Sequence, residues 1–170
     1  SSFWAATAWT QGPAAQPNRA VPQRAPARRA ADAASSAVAD RFRGVAEEMA
    51  RAAQVTPAHA DQAILLLTAA KTLDPQIVVE PLLLELATQH TTADYSPHVK
   101  LWLDRYVGAS ADRQIVAGAV RYLLNRLDTI DERQRLLENL VSAIGNRSPV
   151  IDSDLAVMLG RIMVEKGDLQ

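Results

Sequence analysis

The sequence predicts an all-α protein of about seven helices, and three observations carry that prediction. Apolar residues recur at three- and four-residue spacing from about residue 36 to the end of the chain. Capping residues and first-turn prolines interrupt this pattern at short intervals. Alanine and leucine dominate the periodic segments, the 170-residue chain has only seven glycines, and no segment carries the signature of a β-strand.

Three of the first four predicted helices open with the same device. A side chain that can cap the first turn is followed by a proline, whose missing N–H has no bond to make at that position. The three pairs are Thr56-Pro57, Asp74-Pro75 and Ser96-Pro97. Together with an apolar face that begins at Ala37, they predict helices at residues 36–54, 57–73, 75–90 and 96–107.

The last three helices are predicted from caps without a proline. Ser110 caps a helix near residues 111–127, after Gly108 has ended the preceding one. Thr129 and Glu132 form a capping box that opens a helix near residues 130–145. Asp152 or Ser153 caps a seventh helix, whose expected buried stripe is Leu155, Met158, Leu159, Ile162 and Met163.

Residues 1–35 differ in composition from the rest of the chain. They hold four of the nine prolines and four arginines against one acid, Asp32, so this segment carries +3 and the remaining residues carry −4. Prolines at this density block helix propagation, and too few apolar side chains remain to offset the entropy of ordering. We expect an extended, Pro/Ala-rich low-complexity tail over residues 1–35, ahead of one helical domain over residues 36–170.

The first eleven residues carry Phe3, Trp4 and Trp9, which a solvated tail has no reason to contain. One interpretation is the outer end of a membrane anchor or signal sequence, with tryptophans at the interfacial level. That interpretation favours a periplasmic or membrane-associated location. The alternatives are a short aromatic peptide that docks into a partner's groove, and aromatics that fold back onto the chain's own helices.

A packing pattern recurs along the helical region. Sets of apolar residues with successive offsets of four and three lie in the second, fourth and sixth predicted helices: Ala63, Leu67 and Ala70; Val99, Leu103 and Tyr106; Leu136, Leu140 and Ala143. Successive sets are separated by 36 and 37 residues. A constant offset at a nearly constant step is expected when each helix pair packs on the next in the same manner.

The second helix resembles the second helix of a tetratricopeptide repeat, because Ala63-x3-Leu67-x2-Ala70 is followed by Leu-Asp-Pro ending at Pro75. Leu159-Gly160, followed seven residues later by Gly167-Asp168, resembles the first helix and turn of another repeat. The resemblance implies a right-handed stack of antiparallel helix hairpins, an α-solenoid over residues 36–170 that is truncated at its C-terminus. It also implies close helix approach at Gly160 and a turn at Gly167. Pro81 stands where the family has a bulky aromatic, and the steps exceed the family's 34 residues; a four-helix bundle is the structural alternative.

Composition and motifs favour a protein without catalytic chemistry. The absence of cysteine excludes thiolate zinc sites and cysteine nucleophiles, and a net charge of −1 argues against nucleic acid as a partner. His90 and His98 flank a loop with Asp94, but their spacing matches no structural zinc site. No phosphate-binding loop, nucleophile elbow or Rossmann fingerprint appears. We therefore expect no enzyme activity, no cofactor and no bound metal.

The sequence predicts a non-catalytic protein–protein interaction scaffold or assembly subunit. Its helical-repeat surface would bind a partner peptide, a helix or a neighbouring subunit. Trp102 is expected to be buried between helix pairs. The alternative places Trp102 or Tyr106 in a concave groove, as a contact for a partner peptide. Phe3, Trp4 and Trp9 are also candidate contacts with a partner. The alternative function is a regulatory or substrate-presenting helical segment of a larger enzyme, with the catalytic residues outside this chain.

Overall fold

A computed structural model describes residues 26–52, 54–108, 110–142 and 148–167. Across these ranges all regular secondary structure is α-helical, which confirms the all-α prediction. The described helices are α1 (Pro26–Ala50), α2 (Pro57–Leu73), α3 (Glu80–Gln89), α4 (Ser96–Tyr106), α5 (Arg113–Leu124), α6 (Ile130–Ser142) and α7 (Pro149–Lys166). None of the helices described is both long enough and apolar enough to cross a lipid bilayer.

The main helix–helix contacts join helices that are one or two positions apart in chain order. α1 packs along α2, α2 meets α3, α3 meets α4 and α5, α4 meets α5, α5 meets α7, and α6 packs on α7. α3 is central because its buried residues lie on more than one face of the helix: Leu83, Leu84, Leu86 and Ala87. Its sequence is accordingly apolar with little periodicity, as expected for a helix that is covered on several sides.

The helix starts predicted from Thr56-Pro57, from Ser96-Pro97 and from the capping box are confirmed to within one residue. Thr56 Oγ1 accepts a hydrogen bond from the N–H of His59 at 3.3 Å. At α6, Thr129 Oγ1 accepts from the N–H of Glu132, and Glu132 Oε2 accepts from the N–H of Thr129, both at 3.2 Å. Reciprocal bonds of this kind satisfy two donors that the first turn leaves without partners.

The first helix begins earlier than predicted. It starts at Pro26, so residues 26–35, which were expected to belong to the extended tail, are helical. A proline is compatible with the first turn because its N–H would have no partner there, and the alanines that follow have the highest helix propensity. The rest of the predicted tail, with Phe3, Trp4 and Trp9, lies outside the described residues.

The predicted start of α3 was wrong. The helix opens at Glu80 with Pro81 in its first turn, and Pro75 is an exposed residue of the connection between α2 and α3. Asp74 Oδ1 accepts from the N–H of Gln76 at 2.9 Å, which closes a turn of the side chain onto the backbone instead of capping a helix. Of the two nearby prolines, Pro75 and Pro81, it is Pro81 that lies in the first turn of α3.

The predicted caps of α5 and α7 were also wrong. Asp112, not Ser110, caps α5 by accepting from the N–H of Gln114 and of Ile115. α7 begins at Pro149 with Ser148 in the cap position, so Asp152 lies inside its first turn. In both helices the start signal is of a predicted type but lies a few residues away: an Asp cap for α5 and a Ser-Pro pair for α7.

The residues that define the repeat pattern form much of the core. Five of them are fully buried: Ala63, Leu67, Ala70, Val99 and Leu103. Leu140 is buried, Leu136 and Leu159 are half-buried, and Ala143 lies outside the described residues. Gly167 ends α7 at φ +81°, a left-handed conformation that glycine adopts without strain, as predicted. The close approach expected at Gly160 is absent: a Cβ placed there would meet no heavy atom within 4 Å.

Candidate functional site

A cleft of about 890 Å³ lies between the C-terminal half of α2, the connection from Asp74 to Val79 and one side of α4. Its lining combines polar, charged and apolar side chains: Thr68, Lys71, Thr72, Pro75, Gln76, Val78, Glu80, Leu83, His98, Leu101, Trp102, Arg105, Tyr106, Gly108 and Ser110. Sites that hold ligands are typically concave and mainly apolar with a few placed polar groups. The cleft has this mixed character.

The apolar part of the cleft has a buried floor and exposed rims. Leu83 and Trp102 are buried at its base. Val78, on the connection, is 66% exposed, and Leu101, on α4, is 47% exposed. The two rims place large apolar side chains in water beside a tryptophan, an arrangement that favours the burial of an apolar group of a partner.

The polar part of the cleft is built around one ion pair. Lys71 Nζ lies 2.9 Å from Glu80 Oε1 and donates a hydrogen bond to the carbonyl of Ile77 at 2.7 Å. Glu80 Oε2 also accepts from the N–H of Val79 at 3.2 Å. The pair therefore joins the last turn of α2 to the first turn of α3 and holds the backbone of Ile77 between them. We infer that it fixes the wall of the cleft that carries Val78.

The environment of Glu80 keeps its carboxyl ionised. Burial alone would raise the pKa of Glu80, but hydrogen bonds from Lys71 and from backbone N–H groups outweigh it, so that the pKa of this carboxyl lies below its ordinary value. The side chain is almost fully buried, whereas that of Lys71 is one-quarter exposed. A charge in this position is stable because its partner is in place, and removing the partner leaves it uncompensated.

Asp74 anchors the other end of the same wall. Its carboxylate accepts hydrogen bonds from the hydroxyl of Ser36 on α1 and from the N–H of Gln76. The bond from Ser36, followed by that from Gln76, lowers the pKa of Asp74. The connection between α2 and α3 is thus tied to α1 at its start and to Lys71 at its end.

The opposite wall, α4, is fixed by tyrosines. The hydroxyl of Tyr106 accepts from the N–H of Asp112 at 2.8 Å, and that of Tyr95 donates to Asp61 Oδ1 at 2.9 Å. Burial, and then the bond to Asp61, raise the pKa of Tyr95 to about 12. The rings of Tyr95 and His98 lie tilted beside Trp102, with centroids 6.4 Å and 5.7 Å from that of the indole. These contacts fix the indole against the cleft.

Arg105 gives the cleft an unbalanced positive charge. It is exposed in the last turn of α4, and the described part of the chain offers it no ion pair. Lys71, by contrast, is neutralised by Glu80. The open charge at the rim is therefore cationic, which favours an anionic group on a bound partner.

The structure brings together two of the residues that the sequence singled out for binding, Trp102 and Tyr106, on one side of the cleft. Trp102 is buried, as expected, with 6% of its surface exposed, and it also lines the cleft. Burial between helices and a place in the cleft are therefore compatible for this residue. Sequence reasoning missed Lys71 and Glu80. A lysine in the last turn of one helix and a glutamate just before the proline of the next were the available signal.

The loop histidines do not assemble into a metal site. The described residues contain no cluster of three or more histidine, aspartate or glutamate side chains suited to a metal ion. Asp94 instead accepts from the N–H and hydroxyl of Ser96, and lies 3.3 Å from Arg126. Asp94 therefore bonds to the first residue of α4 and forms an ion pair with Arg126, which follows the end of α5.

Comparison with known proteins does not add a family to this description. The chain matches no protein-family model, no curated protein and no solved structure. The resemblance to tetratricopeptide repeats consequently rests on the residues that first suggested it.

Proposed function

We propose that this protein is a non-catalytic interaction module whose helices stack as antiparallel hairpins in a short α-solenoid, and whose cleft binds a segment of a protein partner. The observation that carries the proposal is the pair of exposed apolar side chains, Val78 and Leu101, that line the cleft together with buried Trp102. The helix contacts support the solenoid, because they mainly join elements one or two apart in chain order, as stacked repeats do.

The chemistry of the cleft specifies the kind of segment. An apolar side chain would insert between Val78 and Leu101 and contact the indole of Trp102, since aromatic residues dominate the energetics of such interfaces. An acidic side chain or a terminal carboxylate beside it would pair with Arg105. The hydroxyl groups of Thr68 and Thr72 donate to carbonyls of α2, so their oxygens can accept hydrogen bonds from an extended backbone, and Gln76 adds an amide side chain.

The polar network supports a binding role because its bonds hold the walls in place. Lys71, Glu80 and Asp74 bond to the backbone and side chains of the cleft's own elements. A wall that is ordered before binding lowers the entropy lost on association. The cleft is thereby suited to bind a flexible segment that supplies most of the conformational change.

Peptide display on the 170-residue chain tests the proposal. We expect selected peptides to share an apolar residue close to an acidic one, and to lose at least tenfold in affinity for a Leu101→Glu variant in fluorescence anisotropy. Arg105→Glu should weaken acidic peptides specifically. Leu65→Glu is the matched control, since Leu65 is 69% exposed on α2 and does not line the cleft. Peptides that bind the Leu101 variant as well as the parent chain would refute the cleft as the binding site.

A further inference from the structure

α7 is apolar on two opposite faces. Its inner face buries Ile151, Leu155 and Ile162 against the rest of the protein. Val150, Val157 and Val164, on the other side, are 49%, 54% and 63% exposed. A second apolar face on a helix is typically covered like the first, so the outer valines mark an apolar surface that the described part of the chain leaves exposed.

The outer valines recur every seven residues. Three positions after each valine stands a small residue: Ser153, Gly160 and Gly167. These six residues form the α7 outer face, which contains no charged side chain. Valines and small residues thus occupy the two positions of a heptad that face a partner helix in a coiled coil. Gly160 is half-buried, and a Cβ placed there would meet no heavy atom within 4 Å, so there is space beside it.

We propose that the α7 outer face is a self-association surface, on which α7 of a second copy of this chain packs in the antiparallel direction. The surface is separate from the cleft, which is lined by residues of the segment from Thr68 to Ser110. Two observations select a second copy as the occupant and the antiparallel direction as its orientation: the alternation of side-chain size and the charges beside the face.

The size alternation is self-complementary in one direction. In an antiparallel pair, Val157 faces Gly160 of the second copy, Val164 faces Ser153, and Val150 lies beside Gly167, the residue that follows the last turn of α7. Each valine therefore meets a small residue, and alternating large and small residues across an interface lets the layers interdigitate. In a parallel pair valine would face valine and glycine would face glycine, which leaves voids beside the glycines.

The charges beside the face complement one another in the same direction. Asp154 and Arg161 lie seven residues apart along one edge of the α7 outer face. Antiparallel packing brings Asp154 of each copy opposite Arg161 of the other, twice by symmetry. In a parallel pair these side chains would face Pro149, Ala156 and Met163, which carry no charge. Asp154 already receives two bonds from Arg113, at 2.5 and 2.8 Å, but a carboxylate accepts about four.

Disulfide trapping tests the contact and its direction together, because the chain has no cysteine of its own. Two variants are made, Ser153→Cys and Val164→Cys, one of them with a tag that changes its mass. In the antiparallel register position 153 of one copy faces position 164 of the other. Identical positions are eleven residues apart along the axis, about 16 Å at 1.5 Å per residue, whereas a disulfide joins Cα atoms within about 7 Å.

We expect the mixture of the two variants to form the mixed disulfide under mild oxidation, and each variant alone to stay monomeric on a denaturing gel. Efficient cross-linking of either variant with itself would overturn the antiparallel contact. The absence of any cross-link from the mixture would show that another occupant, or water, covers the face, and would equally overturn the proposal.

A second measurement does not depend on oxidation. Light scattering coupled to size-exclusion chromatography should show a concentration-dependent dimer of the parent chain. Val157→Lys should weaken that dimer at least tenfold. Gly160→Leu should do the same, because its side chain would fill the space that Val157 of the second copy occupies, while its Cβ meets no heavy atom within 4 Å in the monomer. Leu65→Lys, an exposed apolar position on α2, should leave the dimer unchanged. Circular dichroism identifies any variant that fails to fold, and a monomeric parent chain at all accessible concentrations would contradict self-association.

Discussion

The ion pair between Lys71 and Glu80 provides the sharpest test of the cleft wall. Lys71→Met removes the cation and keeps a side chain of similar length, so Glu80 stays buried with a bond from the backbone alone. Breaking a fully buried pair in this way costs 3–5 kcal/mol as an order of magnitude. Because Lys71 is one-quarter exposed, water screens part of that loss, and we expect a destabilisation of about 2–3 kcal/mol at pH 7.

The same substitution should change the pH dependence of stability. The folded-state pKa of Glu80 is lowered, so the stability contributed by the pair is complete above the ordinary glutamate pKa of 4.5 and is lost as pH falls through the folded-state pKa. Without Lys71, burial should raise the pKa of Glu80, so that protonation removes the uncompensated buried charge and restores part of the variant's stability. The stability difference between the parent chain and Lys71→Met should therefore shrink as the pH is lowered from 7 to 4.

Urea denaturation followed by circular dichroism at 222 nm measures both effects. Lys100→Met is the matched control, because Lys100 pairs with Asp104 at 3.1 Å with both side chains about half exposed, and it should cost about 0.3–0.5 kcal/mol. A loss below about 0.5 kcal/mol for Lys71→Met, or a loss that does not vary with pH, would show that the pair does not hold the wall. Binding of the selected peptides should weaken in the same variant, since Val78 lies on that wall.

Three further predictions concern the fold. Alkaline titration of tyrosine absorbance should reveal one phenol with a pKa of about 12 that is missing in Tyr95→Phe; because this pKa is raised, its stabilisation is present below pH 10 and lost as pH rises through 12. Gly118→Ala should raise the free energy of unfolding by about 0.5–1 kcal/mol, since nothing lies within 4 Å of the new Cβ, whereas Gly167→Ala should lower it by about 1 kcal/mol through its positive φ. Leu67→Ala should lower the free energy of unfolding by about 2–5 kcal/mol, because Leu67 is fully buried. Leu65→Ala should lower it by less than about 1 kcal/mol, because Leu65 is exposed on the same helix. Equal losses at the two leucines in urea denaturation would contradict the burial.

Local signals located most of the helices, and tertiary contacts decided where several of them begin. The capping box at Thr129 and Glu132 is complete within four residues, so the sequence was sufficient to place it. We infer that more distant groups decide where α3 starts, since Lys71 on α2 donates a hydrogen bond to the carbonyl of Ile77 in the connection. By local rules Pro75 is the better start, because it follows Asp74, which can cap a helix, whereas Val79 in the cap position of α3 makes no side-chain cap bond. No local pattern contains the bond between Lys71 and Ile77.

The candidate site was predictable only in its aromatic part. Trp102 was identified because a tryptophan on a short amphipathic helix is conspicuous in a chain with three of them. The pairing of Lys71 with Glu80 requires the turn at Asp74, which brings the end of α2 to the start of α3. Side chains nine residues apart on different helices meet only after that turn has formed. The cleft therefore follows from the tertiary structure, and the sequence indicated its residues without their arrangement.

The two proposed surfaces are separate, and their combination has a consequence of its own. A dimer through α7 would carry two clefts, because none of the residues that line the cleft belongs to the α7 outer face. The second of two linked segments on one partner would then bind from a high effective concentration, which raises avidity by roughly 10²–10⁴ where the spacing permits. A bivalent peptide should accordingly bind the parent chain much more tightly than Val157→Lys, while a monovalent peptide binds both equally. If the parent chain and Val157→Lys bind bivalent peptides equally tightly at every linker length tested, self-association makes no contribution to binding at the cleft.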